Sequence, residues 1–351
     1  MAEQAERPER FLTLPEIRRA AKRILPPGPW GYAAGGAETE TTLRRNRRAI
    51  RRLAIRQRVL RDVRQVDLET TFLGLRLPMP VAVAPMGGLV VFHPQGDCEM
   101  VRGAGQAGNL AVVSGVTGWP VEEVAAAAGA PLLFQLYFAG PRSWAQELLG
   151  RVEATGAYKA VCLTVDLQVY GRRERDLIQR YDPRIARMLA PNPQPPDMDY
   201  QARLTWDDVA WLQEMLSVPL GLKGILTAED ARLAVEAGVK IVWVSNHGGR
   251  QLDATQATIE VLPEIVEAVD GRAEIIIDGG FSRGTDVIKA LALGANVVAM
   301  GRNILWGLVV DGADGVRRSL ELVREELAAS LALCGQTSVR DLGPEMIRRA
   351  E

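Results

Sequence analysis

Residues 240–253 read KIVWVSNHGGRQLD. The first half is apolar without the polar alternation of a strand that has one face in water, the pattern of a parallel strand buried on both faces. The second half turns polar and glycine-rich, so the strand ends there and hands His247 to a loop. Seven further runs of this kind lie on either side: VAVAP from Val81, LAVVSG from Leu110, LLFQLY from Leu132, KAVCLTV from Lys159, VPLGLKG from Val218, EIIIDGG from Glu274 and NVVAMGR from Asn296. A helix-like segment or a helix-sized gap follows each. Eight βα units in about 230 residues predict an α/β fold, a closed (β/α)8 TIM barrel rather than an open doubly wound sheet.

Helix starts support the alternation. Thr205 precedes WDDVAWLQEML with Asp208 placed to help cap the first turn, and Thr227 precedes AEDARLAVEAG, which closes on a glycine. Residues 1–75 are expected to form an N-terminal helical extension, starting with LPEIRRAAKRIL, and residues 76–351 the barrel, one structural domain overall. The last ~40 residues continue the final barrel helix. The longest irregular stretch, residues 178–204 with APNPQPPDMD, follows the fourth strand and reads as a short mobile lid.

The 351 residues carry 42 Lys and Arg against 43 Asp and Glu, a formal net charge of -1. That balance speaks against attraction to nucleic acid or an anionic membrane. The run RRNRRAIRRLAIRQRVLR from Arg44 has no aromatics interleaved to stack bases, so it reads as a solvated helix face paired with acids elsewhere. Cys98, Cys162 and Cys334 lie far apart with no CxxC pair, against a disulfide framework or a zinc cluster. The polar N-terminus has no signal-like apolar core, and no apolar run reaches the ~18 residues of a membrane span. The expectation is a soluble cytoplasmic protein with no bound metal.

GAGQAG, from Gly103, matches GxGxxG but closes a helix-like stretch instead of opening one, and is read as a decoy. The chain has two histidines. His93, in FHPQGD, is read as structural. His247 stands where a barrel strand ends, a position that reads as catalytic, and an imidazole titrating near neutrality is a natural general base. The plain alternative is a satisfied loop histidine. Arg250, three residues on, offers a planar fork for a carboxylate. The fourth strand ends LTVDLQVYGRRERD; Thr164 and Asp166 share inward parity, and a carboxylate beside His247 would orient the ring. Taken alone, Asp166 could equally be an ordinary barrel salt bridge. Arg172 and Arg173 offer a second guanidinium. Lys223 ends an otherwise apolar strand, where it needs an anionic or accepting partner or serves as a Schiff-base lysine. Gln135 and Tyr137 add polar groups at inward spacing. DGG from Asp278, and Gly301 with Arg302, end the seventh and eighth strands, where glycine loops of such barrels hold phosphate.

With these residues in place, the chain resembles the FMN-dependent 2-hydroxy acid oxidases and dehydrogenases, the group of glycolate oxidase, lactate oxidase and mandelate dehydrogenase. The likeness rests on SNHGGRQLD, with FQLY, LTVD…GRRERD, LTWDDVAWL, KGILTAEDA, DGG…RGTDV, KALALGA and GYAAGGAETETTLRRN, and runs from about residue 12 to 345. It implies FMN-dependent oxidation of an (S)-2-hydroxy acid to the 2-oxo acid, with His247 as base and flavin N5 as hydride acceptor. Asp166 would hold His247. Arg250 and Arg173 would bind the substrate carboxylate, with Tyr32 and Tyr137 hydrogen-bonding carboxylate and hydroxyl. Lys223 would face the flavin N1–C2 carbonyl edge. Ala84, Pro85, Met86, Ser114, Gln135, Thr164 and Ser245 would line the ring and ribityl chain. Asp278, Gly279, Gly280, Arg283, Gly301 and Arg302 would surround ribityl and phosphate.

Several departures accompany the resemblance. Ser282 stands where the family has a phosphate-capping arginine, so a charge-assisted contact is lost unless Arg283 or Arg302 compensates. The lid is shorter than in most members, which argues against a membrane-binding insertion. Tyr170 and Val116 replace a small aliphatic residue and a tryptophan beside the substrate side chain. Gly87 leans towards an acceptor other than oxygen, so oxygen and another soluble acceptor both stay open. A homotetramer is expected. The alternatives are a flavin barrel without net redox, of the isomerase type, an oxidoreductase acting on a larger biosynthetic intermediate, and a scaffold that has lost turnover.

Overall fold

The computed structural model describes residues 10–182 and 199–350, and the barrel lies at its centre. The apolar runs become parallel strands β1 Val81–Val83, β2 Ala111–Ser114, β3 Leu132–Leu136, β4 Tyr158–Thr164, β5 Leu220–Ile225, β6 Ile241–Val244, β7 Glu274–Ile277 and β8 Val297–Met300. They pair in sequence order, and β8 closes on β1 with Val298 opposite Val81 and Met300 opposite Val83. The strands feed two cores, which is why their sequences lack polar alternation. Ala82, Val112, Leu133, Cys162, Trp243 and Ile276 cluster inside the barrel, while Val81, Val113, Phe134, Val161 and Val242 pack beneath the helices.

Helices start as the sequence indicates. The Asp208 carboxylate accepts from the Thr205 N–H at 3.2 Å, and the Thr227 hydroxyl accepts from the Asp230 N–H at 3.2 Å. The glycines of GAGQAG serve packing: a Cβ on Gly103 would lie 2.3 Å from the Ala313 carbonyl oxygen, and one on Gly105 2.6 Å from the Gly129 nitrogen. The final barrel helix runs Arg302–Leu333 with a break at Asp311 and Gly312, where the backbone leaves helical geometry. No helix among the described residues is long and apolar enough to cross a membrane.

The expected N-terminal helical extension is helical only as far as Arg51. Helices α1 (Leu14–Ile24), α2 (Pro27–Ala34) and α3 (Thr41–Arg51) give way to Leu53–Ile55, which pairs antiparallel with Ile347–Arg349. A hairpin follows, Thr70–Phe72 on Leu75–Leu77. Its turn residues Leu73 and Gly74 both have positive φ, 48° and 75°, the geometry that matches the twist of paired strands. The hairpin buries Phe72 and Leu77 against the interior cluster. Segments this short reach neither helical length nor a helical stripe, so partner strands decide their conformation. Most of the expected lid, residues 183–198, lies outside the described residues.

The arginine-rich run is also more than a solvated face. Arg45 donates to the carbonyls of Ala254, at 2.8 Å, and Thr255. Arg47 donates to the Gly280 carbonyl at 3.0 Å and to the buried Asp286 carboxylate. Among the described residues it is the only α3 arginine with an acidic partner. Asp253, the last residue of the opening motif, fastens α3 to the loop after β6. Its carboxylate accepts from the N–H groups of Thr41 (3.1 Å) and Thr42 (2.7 Å) and from the Thr39 hydroxyl (2.9 Å). These are first-turn amides that the helix itself leaves unpaired. Burial pushes the carboxyl up, but the Thr42 amide, the Thr39 hydroxyl and the neighbouring amides outweigh it and hold it far below its ordinary range. A carboxyl depressed in the folded state stabilises above its unfolded pKa, about 4, and ceases to do so as pH falls further. Asp253→Ala is expected to cost about 2–3 kcal/mol in urea unfolding at neutral pH, with the gap to the parent closing below about pH 4.

Candidate active site

All eight strands end at one rim, so the residues just past them converge on the cavity there. Its volume is 1810 Å³, above the ~300–1,000 Å³ usual for a single small ligand. After β6 the chain turns sharply: His247, Gly248 and Gly249 have φ of 56°, 63° and 75°. Glycine adopts this region freely, whereas at His247 it stores strain of about 1–3 kcal/mol, a cost found at functional sites. The surroundings hold it. The His247 N–H donates to Ser245 Oγ at 3.0 Å, and ring Nδ1 lies 2.9 Å from Asp166 Oδ1. With Nδ1–H pointing at the carboxylate, Nε2 faces the Tyr137 hydroxyl at 3.5 Å.

Two opposing effects set the protonation of this pair. Burial pulls His247 down; Asp166 offsets part of that, and Lys223 and Arg173 pull it lower. The imidazole is therefore neutral at neutral pH and able to accept a proton at Nε2. Burial pushes Asp166 up, but the His247 and Lys223 charges and the hydrogen bond to the ring outweigh it, so the carboxyl ends below its ordinary range. Burial raises the Tyr137 phenol, which stays protonated and able to donate.

Arg250 and Arg173 reach the same side of the cavity. Arg250 lies 4.8 Å over the Tyr32 ring; Arg173 lies 5.6 Å from that ring and 4.2 Å over Tyr170. Aromatic faces offset some of the repulsion between two close guanidinium groups. Arg250 donates to the carbonyls of Tyr32 (2.6 Å) and Gly35 (3.0 Å), and Arg173 to the Arg250 carbonyl (3.3 Å) and the Tyr170 hydroxyl. Burial, then the Arg173 charge, pulls Arg250 down. Neither forms an ion pair among the described residues, and two adjacent desolvated cations suit a carboxylate.

The opposite wall suits a flat cofactor with a polar edge and a phosphate tail. Buried Lys223 donates to Ser245 Oγ at 3.0 Å and lies 3.7 Å from Asp278, an ion pair rather than a Schiff-base site. The Asp278 carboxylate also accepts from Ser245 Oγ and Trp243 Nε1, each at 2.9 Å. Ala84, Pro85 and Met86 give the cavity an apolar wall. Gly279 and Gly280, with φ of 105° and 93°, carry the backbone along the cavity wall, packed so closely that a Cβ would lie 2.7 Å from Thr258 Oγ1 or 3.2 Å from Asn46 Cβ. The residues present therefore fit FMN: an apolar face, a cation at one edge, and glycine loops leading to helix N-termini at the far end.

Most expected residues meet in this cavity. Its lining includes His247, Tyr137, Arg250, Arg173, Tyr32 and Lys223, with Ala84 to Met86 and Asp278 to Gly280, Arg283, Gly301 and Arg302. Asp166 stands behind His247. Ser114, Gln135, Thr164 and Ser245 are not lining residues; they are buried at the strand ends, where Ser114 donates to Gln135 (3.0 Å) and Gln135 to Thr164 (2.8 Å). Arg283 lies at the cavity, but its guanidinium is paired with Glu326 at 2.9 Å. His93 is a loop residue whose Nδ1 accepts from the Gln95 N–H at 3.2 Å. The sequence reading missed Asn46, whose side-chain amide pairs reciprocally with that of Asn246 at 2.8 Å and braces the His247 turn. Its one signal was an uncharged polar residue inside an arginine run.

Residues 21–349 match the family model for FMN-dependent dehydrogenases. A peroxisomal (S)-2-hydroxy-acid oxidase of Oryza sativa subsp. japonica is 42% identical over 341 residues, 93% of each chain. An L-lactate oxidase of Nostoc sp. is 41% identical over 358 residues, 94% of this chain and 96% of that one. A crystal structure of mandelate oxidase with benzoyl-formic acid superposes with a TM-score of 0.87 at 38% identity, covering 97% of this chain and 99% of that one.

A base kept neutral by burial sets a pH dependence. Turnover per encounter, kcat/KM, is expected to be flat above about pH 6.5 and to fall below that as His247 protonates. Asp166→Asn removes the charge that raises His247, so the acid limb should move to still lower pH. Its plateau should drop by roughly 10²–10⁴, because the ring loses the partner that fixes its tautomer. Steady-state rates from pH 4.5 to 8 check both.

Proposed function

Because the chain belongs to the FMN-dependent dehydrogenase family, we propose that His247, Asp166, Tyr137, Tyr32, Arg173 and Arg250 are the residues with which it oxidises its substrate. The overall reaction is FMN-dependent oxidation of an (S)-2-hydroxy acid to the 2-oxo acid, an oxidoreductase activity. The geometry that supports this assignment of roles is the imidazole held at 2.9 Å by the Asp166 carboxylate, beside two guanidinium groups that form no ion pair among the described residues.

The substrate carboxylate binds Arg250 and Arg173, whose positions are fixed by carbonyls and aromatic faces. Tyr32, whose ring lies under both guanidinium groups, closes that side. The substrate hydroxyl then lies between Tyr137 and His247 Nε2, which takes its proton. Asp166 stabilises the resulting imidazolium without itself being protonated. FMN, when bound, supplies the oxidant, accepting the two electrons that leave the substrate's α-carbon. The isoalloxazine would be held by Ala84, Pro85, Met86 and Lys223, and the ribityl phosphate by Gly279, Gly280, Gly301 and Arg302. Lys223 would place positive charge where reduction of the bound flavin adds negative charge, so its stabilisation would grow along the reaction.

Oxygen is the acceptor we favour, on the strength of relatives named as oxidases. Gly87, which leans the other way, is the reason to measure oxygen uptake directly. We read the protein as a cytoplasmic homotetramer. The isomerase alternative is weaker because a two-arginine carboxylate site has no use in it.

The purified protein is expected to be yellow, to contain FMN, and to bleach anaerobically with an (S)-2-hydroxy acid. A colourless protein that cannot be loaded with FMN would sink the reading. His247→Ala should still bind FMN but bleach at least ~10²-fold more slowly, while Arg250→Lys, which loses the two-pronged contact, should chiefly raise KM. Stopped-flow absorbance of the flavin band separates the two effects.

A further inference from the structure

The glycine loop after β7 carries its own acids, and each already has a cation. Asp278 pairs with Lys223 at 3.7 Å, and buried Asp286 pairs with Arg47. Arg283 is taken by Glu326 at 2.9 Å. Ser282 donates both its N–H (2.9 Å) and its hydroxyl (3.3 Å) to Asp286. The loop's own side chains therefore present no free positive charge to an anion. Arg302 is close by and half-buried, and desolvation pulls its guanidinium down to about 9, so it is still charged at neutral pH. Yet its Nε donates to the Ala33 carbonyl and one terminal nitrogen to those of Gly35 and Gly248.

Beyond Arg302, further positive charge at this end comes from α3. Arg44, Arg47 and Arg51 fall at i, i+3 and i+7, along one edge of the helix, and all three line the cavity. The helix is pressed against the glycine loop: a Cβ on Gly280 would lie 3.2 Å from Asn46 Cβ and 3.3 Å from the Arg47 backbone nitrogen. Arg44 donates to the Thr39 carbonyl at 2.7 Å, and neither it nor Arg51 has an acidic partner among the described residues. Arg18 and Lys22 of α1 line the same cavity, resting over the Trp30 ring at 5.8 and 5.9 Å. Like charges gathered on one cavity repel unless an anion lies among them.

We propose that this α3 edge is the electrostatic seat of the FMN phosphate: Arg44 and Arg51, flanking the shared charge of Arg47, hold the dianion in place of any side chain of the glycine loop. The inference rests on the FMN reading above and adds which residues anchor its tail. Arg44 and Arg51 are exposed, so their attraction acts through solvent and is screened, with a Debye length of about 10 Å at 0.1 M salt. FMN retention should therefore weaken with salt.

Apoprotein is titrated with FMN and with riboflavin, which has the same ring and no phosphate, following quenching of flavin fluorescence at about 0.01 M and about 1 M KCl, where screening is respectively weak and nearly complete. The wild-type titration tests the cofactor reading itself; if it binds neither flavin, that reading falls and this inference with it. Given FMN binding, Arg44→Ala with Arg51→Ala is expected to raise the FMN Kd about tenfold at low salt. That difference should shrink at high salt, and the riboflavin Kd should stay unchanged. Arg44→Lys with Arg51→Lys keeps the charge and should retain most of the affinity. An alanine pair that binds FMN as tightly as wild type at low salt overturns the inference. So does one that loses riboflavin equally, or a lysine pair as weak as the alanine pair, since both would mark shape rather than charge.

Discussion

A carboxylate and an imidazole, 13% and 16% exposed, meet at 2.9 Å across the rim of the barrel, and much of the surrounding architecture keeps them there. Asp166 comes from the end of β4 and His247 from the end of β6, so only closure of the barrel brings them together. Either group alone would be an uncompensated polar burden in that position; together each makes the other tolerable. The left-handed turn at His247 is the local cost. It is met by the Ser245 hydroxyl, by the Asn46–Asn246 amide pair and by the attachment of α3 through Asp253.

Barrel and site were legible to different depths. The eight strands could be read because a strand buried on both faces needs apolar residues at every position, and such runs are rare elsewhere in a chain. His247 and Arg250 were legible because polar residues directly after such a strand have no packing reason to be there. The helical extension was misread beyond Arg51 because LAI takes its conformation from Ile347–Arg349, nearly 300 residues away, while TTF and LRL are three-residue strands of a hairpin, too short to show a period. A local period carries no trace of that pairing.

Side-chain destinations were the least legible. Arg283 lines the cavity, as expected, but is also paired with Glu326; nothing in DGGFSRG gives that partner. Ser114, Gln135 and Thr164 stand at the strand ends as their parity requires, and there they bond to one another, a chain that no spacing in the sequence announces. The arginine run was read by its composition as solvated, whereas Arg45 and Arg47 dock on loops more than 200 residues away in sequence. Composition states how much charge a helix has; only the fold states what that charge faces.

The charges of the cavity divide by whether they have partners, and the division has a mechanistic consequence. Lys223 and Arg47 are paired with acids and hold loops in place. Arg173 and Arg250 have no acidic partner among the described residues, and the positive charges of Lys223 and Arg173 help hold His247 below its ordinary value. A carboxylate arriving on the two arginines cancels the Arg173 part of that influence, so the imidazole becomes a better proton acceptor when substrate is bound. The base is thus least inclined to hold a proton while the site is empty and most inclined to take one when the correct anion is present. An alcohol lacking the carboxylate brings no such change. Discrimination between acid and plain alcohol therefore rests on the field at His247 as well as on the contacts that the arginines make.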